Sequence, residues 1–165
     1  IVSLVGSEMC IRDSHQPAAR SLFITPHAGE AASLLSTSTA LIEADRIQAA
    51  KSLVTTYKCH ALLKGPGSVV IAGTNVHICA HGGPAMATAG MGDVLSGICA
   101  GLLAPLSATG RLEQVAGAFA QAVALHSASA DLAAEEGSPR SVIATDVIEH
   151  IPRLLAGEET FVTNC

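Results

Sequence analysis

Residues 81–103 of the chain read HGGPAMATAGMGDVLSGICAGLL, a glycine-rich stretch that runs directly into an apolar helical pattern. A glycine-rich loop at a helix amino terminus exposes backbone N–H groups that have no partner inside the helix. Together with the helix dipole, these groups favour a phosphate or another anion. The stretch therefore predicts an anion site at Gly90, Met91 and Gly92, followed by a deeply buried helix.

Asp93 is the unexpected residue of this stretch, because a carboxylate beside an anion site is repelled by the ligand that it borders. It could act as a general base toward a substrate hydroxyl. It could equally be a first-turn Asp that the helix dipole stabilises by about 0.3–1 kcal/mol. The residues alone leave both interpretations open.

A second glycine-bearing junction follows an apolar run at residues 61–63 and consists of Lys64, Gly65, Pro66, Gly67 and Ser68. Ligands of open α/β sheets gather at the carboxyl ends of the strands, where this junction is expected. A lysine there supplies a positive charge for a phosphate, and the glycines let backbone amides join it. A solvated lysine before a turn is the alternative interpretation.

The third junction is Thr25-Pro26-His27-Ala28-Gly29-Glu30, after an apolar run at residues 21–25. His27 and Glu30 could contact one ligand, or Glu30 could hold Mg²⁺ through water, since Mg²⁺ favours one carboxylate together with substrate phosphates. A Glu that merely suits a helix amino terminus is the alternative.

Between and after these junctions, the sequence alternates strand and helix patterns. Gly73-Thr74-Asn75 predicts a hairpin with a three-residue turn. Asp45 is expected to cap a helix, Asp146 is expected to form a capping box with Glu149, and His126 is expected to be a satisfied core residue on a long helix. The order predicts an open α/β sheet covered by helices.

Composition excludes several classes of function. The 165 residues are 49% hydrophobic and 14% charged, which favours one folded domain or a piece of one. A net charge of −5 with 2% aromatic residues argues against a nucleic-acid partner. No uninterrupted apolar run reaches the roughly 18 residues that span a bilayer, so no membrane partner is expected. Five scattered cysteines without CxxC pairs favour buried thiols in a reducing cytoplasm.

The two ends of the chain are expected to lie outside the folded part. Residues 1–14, IVSLVGSEMCIRDS, resemble translated sequencing-adapter read-through and lack the pattern of a signal peptide, so we set them aside as non-native. Residues 15–157 are expected to carry the fold, and residues 158–165 to form a polar tail.

The three junctions, taken in this order, resemble a known enzyme family. TPHAGE at 25–30, LKGPGS at 63–68 and GGPAMATAGMGDVLSGICAGLL at 82–103 look like the carboxyl-terminal half of the ADP-dependent NAD(P)H-hydrate dehydratases, whose fold is ribokinase-like. LHSASADLAAEEG at 125–137 and ATDVIEHIP at 144–152 are similar to the closing helices of that family. By this resemblance the chain lacks the amino-terminal part of the domain, so the fragment alone is expected to be inactive.

The resemblance implies a hydro-lyase that dehydrates (6S)-NADHX and (6S)-NADPHX to NADH and NADPH. ADP would be the co-substrate and Mg²⁺ the metal, with AMP and phosphate as the other products. His27 and Asp93 would contact the damaged nicotinamide cofactor, Asp93 as the catalytic base. Lys64–Ser68 and Gly92 would hold the adenine nucleotide, and Glu30 would associate with Mg²⁺, as a Glu does at a comparable turn of related sugar kinases.

The resemblance further implies a cytoplasmic homotetramer and an NAD(P)HX epimerase, either fused or separate. Two alternatives remain. A ribokinase-like vitamin-precursor kinase would use the same anion site with ATP, and a nucleotide-binding non-enzyme would not need Asp93. A dinucleotide-binding dehydrogenase is disfavoured, because no GxGxxG follows a strand with an acidic residue about 20 positions later.

Overall fold

In the computed structural model, which describes residues 3–5 and 22–157, one mixed sheet has its strands in the order β1-β2-β3-β4-β5. β1, β2 and β3 are parallel, and β4 and β5 continue the sheet as an antiparallel hairpin. The strands are β1 (Ser3–Val5), β2 (Leu22–Ile24), β3 (His60–Leu63), β4 (Val69–Ala72) and β5 (Asn75–Ile78).

Six α-helices and one 3₁₀ turn complete the described part of the chain. A short β2–α1 connection and a short loop after β3 leave both parallel strands ending at the same edge of the sheet. The helices are α1 (Ala28–Leu34), α2 (Thr39–Ala44), α3 (Arg46–Tyr57), α4 (Met91–Ala108), α5 (Leu112–Glu136) and α6 (Ala144–Ala156), and the 3₁₀ turn is Pro84–Met86.

Strands β2, β3 and β4 are buried on both faces because their side chains alternate between two cores. Ile24 and Leu63 pack on one face against α1, α2 and α3. Phe23 and Leu62, their neighbours along the strands, pack on the other face against α4 and α5. The predicted open α/β sheet covered by helices is confirmed.

The carboxyl ends of β2 and β3 place two of the three junctions side by side. The Lys64 N–H donates to the carbonyl of Pro26 at 2.8 Å, and His27 and Lys64 form a parallel bridge just beyond the two strands. This edge of the sheet is where ligands bind in open α/β folds.

Two local predictions are wrong in detail. Asn75 pairs with Ala72 inside the hairpin, so the turn has two residues, Gly73 and Thr74, with Gly73 at φ +62°. Asp146 lies inside α6 rather than before it, where its carboxylate accepts the N–H of Ile143 at 2.9 Å. In contrast, Asp45 caps α3 as predicted, since its carboxylate accepts the N–H of Gln48 at 2.9 Å.

The predicted deep burial of α4 is also wrong. Only one side of this helix is buried, through Met91, Leu95, Cys99 and Leu103, and the residues between them are half-buried or exposed. Among the described helices, α4 is the one that is long and apolar enough to cross a membrane by length and composition. That is weak support for a membrane span, because the core helix of a water-soluble protein passes the same test.

β1 lies within the segment that the sequence analysis set aside as non-native. Its backbone pairs in parallel with β2, Ser3 opposite Leu22. Backbone pairing does not depend on the side chains, so an extended segment of any sequence can complete the edge of a sheet. The non-native origin of residues 1–14 stays a prediction, and the tail at 158–165 lies outside the described residues.

Candidate active site

His27 and Glu30 form a reciprocal cap at the start of α1. The Glu30 N–H donates to the His27 ring nitrogen Nδ1 at 3.1 Å, and the His27 N–H donates to the Glu30 carboxylate at 2.7 Å. This arrangement satisfies two backbone N–H groups and holds both side chains beside the edge of the sheet. The His27 ring stays 60% exposed, so its remaining surface is open to a ligand.

Lys64 connects all three junctions. Its ammonium nitrogen Nζ lies 3.7 Å from a carboxylate oxygen of Glu30. The same nitrogen lies 3.6 Å from the position that a Cβ of Gly92 would occupy. The structure therefore brings a positive charge to the first turn of α4, as expected for an anion site at the carboxyl ends of the strands.

The loop after Lys64 is a closed turn with an exposed backbone. The Ser68 hydroxyl donates to the carbonyl of Gly65 at 3.1 Å and accepts its N–H at 3.4 Å. Gly65 has φ +150° and Gly67 has φ +60°, values that residues with side chains rarely adopt. The glycines therefore allow the tight turn that brings the Ser68 hydroxyl to both the N–H and the carbonyl of Gly65.

Arg46 contacts the backbone just before this loop, and it was not among the candidate residues from the sequence. Its guanidinium donates to the carbonyl of Leu63 at 3.1 Å and pairs with Glu43 at 3.0 Å. A Cβ on Gly65 would lie 2.7 Å from the guanidinium nitrogens. No local pattern could have indicated Arg46, because it lies 17 residues before the carbonyl that it binds.

The glycine-rich stretch places the amino terminus of α4 beside Lys64. Gly90 is the helix cap, with φ +85°, and its carbonyl accepts the N–H groups of Asp93 and Val94 at 3.1 and 3.0 Å. The preceding N–H groups, those of Met91 and Gly92, have no acceptor within the helix. They are available to an anion together with the Lys64 ammonium.

Asp93 is exposed in the first turn of α4, one residue beyond the Gly92–Lys64 contact. No hydrogen bond or ion pair holds its carboxylate among the described residues. An unpaired carboxylate in the exposed first turn of a helix is free to accept a proton from a bound hydroxyl. Its role as general base stays a prediction, as do the ligand contacts of the other site residues.

His126 was expected to be a satisfied core histidine. It lies in the core at 3% exposure, as expected. It is not fully satisfied, because its ring nitrogen Nε2 is buried without a hydrogen-bond partner among the described residues. Burial lowers the pKa of His126 to about 4; the Met91 backbone opposes that shift and the Lys64 charge reinforces it.

The described residues contain no group of three or more His, Cys, Asp or Glu side chains placed to hold a metal ion. Glu30 is the carboxylate nearest Lys64, and one of its oxygens already accepts the His27 N–H. Mg²⁺ commonly binds one or two carboxylates and otherwise the phosphates of its substrate, so this donor set suits a nucleotide-bound Mg²⁺ and not a resident metal.

A shallow groove of about 610 Å³ lies elsewhere, between the carboxyl-terminal half of α4 and the start of α5. Its lining includes Leu102, Pro105 and Ala118 and contains no ionisable side chain. Along the helix it begins about 14 Å from Gly92, at 1.5 Å per residue, so it is not part of the site.

The chain is similar to known proteins in sequence and in fold. The sequence profile of the NAD(P)H-hydrate dehydratase family matches residues 8–153. The bifunctional NAD(P)H-hydrate repair enzyme Nnr of Coxiella burnetii is 43% identical over 129 residues, which cover 78% of this chain and 25% of that protein.

Two solved structures share the fold. The ADP/ATP-dependent NAD(P)H-hydrate dehydratase of Bacillus subtilis, co-crystallised with ATP and Mg²⁺ and soaked with CoA, superposes with a TM-score of 0.76 at 25% identity, covering 88% of this chain and 52% of that one. A ribokinase-like superfamily protein of Enterococcus faecalis V583 superposes with a TM-score of 0.66 at 25% identity, covering 82% and 44%. The expected ribokinase-like fold is confirmed.

The family profile matches most of the chain, so the resemblance seen in the sequence reflects common descent. The chain spans about a quarter of the length of the curated relatives that it matches. It belongs to the NAD(P)H-hydrate dehydratase family.

Proposed function

We propose that this chain is part of an ADP-dependent dehydratase that returns (6S)-NADHX and (6S)-NADPHX to NADH and NADPH. The β-phosphoryl group of ADP would pass to the ring hydroxyl, leaving AMP. Loss of phosphate and of a ring proton would then restore the double bond. Because the chain spans only part of its relatives, we expect residues 21–165 alone to be inactive.

One observation carries the proposal: the Lys64 ammonium lies beside both Glu30 and the first turn of α4. Phosphoryl transfer needs positive charge and backbone N–H groups around the transferring phosphate more than it needs covalent chemistry. Lys64 supplies the charge, and the N–H groups of Met91 and Gly92, which have no acceptor within the helix, would supply hydrogen bonds. The loop from Gly65 to Ser68 lies next to Lys64 and suits the rest of the nucleotide.

Asp93 would take the proton of the attacking hydroxyl as phosphate is transferred. Its carboxylate has the exposure and the freedom from other partners that this step needs. The exposed His27 ring lies across the same edge of the sheet and would contact the nicotinamide part of the substrate. Because α1 holds His27 through the Glu30 cap, the ring has a defined starting position.

Mg²⁺ would be held by the phosphates of ADP, with Glu30 as its associated carboxylate, and it would neutralise charge on those phosphates. The Bacillus subtilis dehydratase, whose structure contains ATP and Mg²⁺, supports this part of the proposal by analogy. Glu30 also faces Lys64, so its charge is balanced when no metal is bound.

The remaining parts of the proposal concern the whole protein. Curated relatives are bifunctional repair enzymes, which supports an epimerase fused to the dehydratase. We expect a homotetramer in the cytoplasm, where the buried thiols of Cys59, Cys79 and Cys99 stay reduced.

The deciding assay uses protein from the full reading frame that encodes this chain, with (6S)-NADHX and Mg²⁺, and with ADP, ATP or no nucleotide. Appearance of the reduced-nicotinamide absorbance with ADP is the expected result. Absence of that signal with both nucleotides, from folded protein, would overturn the proposal. Phosphorylation of a thiazole or hydroxymethylpyrimidine alcohol with ATP would then favour the vitamin-precursor kinase.

The Asp93→Asn variant tests the proposed base. We expect kcat to fall by about 10²–10⁴-fold, the usual contribution of a general base. ADP should bind at least as tightly as before, because a neutral amide no longer repels the phosphates. Glu113→Gln is the matched control, since it removes an exposed first-turn carboxylate from α5. Unchanged turnover in Asp93→Asn would leave Asp93 as a helix-dipole residue and would refute its role as the base.

A further inference from the structure

The 125–137 motif, LHSASADLAAEEG, has no part in the proposed chemistry, yet its residues contact the glycine-rich loop. The Gly82 N–H donates to a carboxylate oxygen of Asp131 at 2.9 Å. The His81 ring lies 3.5 Å from the same oxygen. The amino-terminal end of the loop is therefore bonded to α5 across 49 residues of sequence.

At this point the loop backbone lies directly on α5. Gly82 has φ +92°, and a Cβ there would be 2.6 Å from the Met86 sulfur and 3.3 Å from Cβ of Ser127. Such a contact leaves no room for a side chain, so Gly82 is needed for both its conformation and its closeness to the helix. The bond to Asp131 is thus made by a backbone that is already held against α5.

The carboxyl-terminal end of the loop packs on the same part of α5. Met91, the first residue of α4, is 6% exposed and lies in one apolar cluster with Ala130 and Ala133 of α5. Met91 is adjacent to Gly92, whose backbone faces Lys64.

We propose that Asp131 is a positioning residue that, together with the packing of Met91, holds the 82–91 loop on α5 and so places the N–H groups at the start of α4 for a phosphate. Asp131 does not have to touch the ligand. The bonds themselves do not depend on the proposed function, which enters only through the effect on turnover.

Amide hydrogen exchange of the full-length protein without nucleotide tests the Asp131 contact directly. We expect exchange at Gly82 to rise about tenfold in Asp131→Ala, the size expected for loss of a bond to a charged acceptor. Asp131→Asn keeps an acceptor without its charge and should show about a threefold rise. Glu135→Ala removes an exposed carboxylate one turn further along α5 and should leave Gly82 unchanged.

Val94 and Leu95, in the first turn of α4, report on the other end of the loop. In Asp131→Ala their exchange should rise by less than that of Gly82. An equal rise at Gly82 and at these two residues would show general destabilisation and would overturn the proposal. Equal exchange at Gly82 in Asp131→Asn, Glu135→Ala and the unmodified protein would also overturn it.

Kinetics then separate this inference from the proposed function. If the unmodified protein turns over (6S)-NADHX, Asp131→Ala should raise KM for ADP about tenfold, with Glu135→Ala unchanged. An unchanged KM in Asp131→Ala would overturn the functional part of the proposal. If no turnover is found in the unmodified protein, the proposed function fails, and the exchange results still decide whether the loop is held by α5.

Discussion

Gly65→Ala should be among the most destabilising alanine substitutions in the loop that follows β3. Gly65 has φ +150°, and imposing that conformation on alanine costs about 1–3 kcal/mol. The new Cβ would also lie 2.7 Å from the Arg46 guanidinium, so the arginine must move. Moving it breaks the bond to the Leu63 carbonyl, worth about 1.5–3 kcal/mol for a charged donor. The free energy of unfolding should therefore fall by about 2.5–6 kcal/mol.

A double-mutant cycle separates the two contributions. In an Arg46→Ala background the guanidinium is absent, so Gly65→Ala should cost only the backbone component, about 1–3 kcal/mol. The double variant should be less destabilised than the sum of the two single variants by about 1.5–3 kcal/mol. Urea unfolding followed by circular dichroism on the full-length protein measures all four free energies.

Gly67→Ala is the matched control within the same loop. Gly67 also has a left-handed backbone, φ +60°, but a Cβ there would lie 3.6 Å from the nearest atom, a methyl carbon of Ile78. Its cost should be about 1–2 kcal/mol and should be independent of Arg46. Strict additivity of Gly65→Ala with Arg46→Ala, or equal costs for the two glycines, would refute the argument.

Two further predictions concern the interior. Phe119→Ala should lower the free energy of unfolding by about 3–5 kcal/mol, because Phe119 is fully buried and packs edge-on against Phe23, with the ring centres 5.0 Å apart. Leu41→Ala, at a site 66% exposed, should change that free energy by less than about 0.5 kcal/mol. Equal effects of the two substitutions would contradict the burial of Phe119 in the core. Burial lowers the pKa of His126 from 6.5 to about 4, so the unfolded chain binds the extra proton between these values and stability should rise by roughly 3 kcal/mol from pH 4 to 6.5. Urea unfolding between pH 4 and 6.5 should show this rise in the free energy of unfolding, and His126→Leu should remove most of it. An equal dependence on pH in both proteins would contradict the assignment of the rise to His126.

Much of the site could be predicted from the sequence because its parts are local. Each of three local patterns predicts its own local structure: a glycine-rich stretch before an apolar helix, a lysine after a buried strand and a His-Glu pair at a helix start. The order of strands and helices then places the two strand ends at one edge of the sheet. The structure brings Lys64 to both Glu30 and Gly92.

Contacts between distant side chains could not be predicted in the same way. Arg46 reaches a carbonyl 17 residues later, and Asp131 reaches an N–H 49 residues earlier. Periodicity places Asp131 and His126 on a long helix, but it does not say which loop packs against them. The same limit explains α4, whose apolar composition suggests burial on all sides although only one side is covered in the described fold.

The sequence by itself determined which backbone segments have special conformations and which residue types stand at the ends of the strands. Those properties depend on neighbouring residues, on glycine's freedom at positive φ and on the alternation of apolar side chains. Only the tertiary structure decided that α5 holds the glycine-rich loop and that Arg46 binds the backbone at the end of β3. These are long-range bonds, and they exist only because packing of the two cores brings their partners within hydrogen-bonding distance.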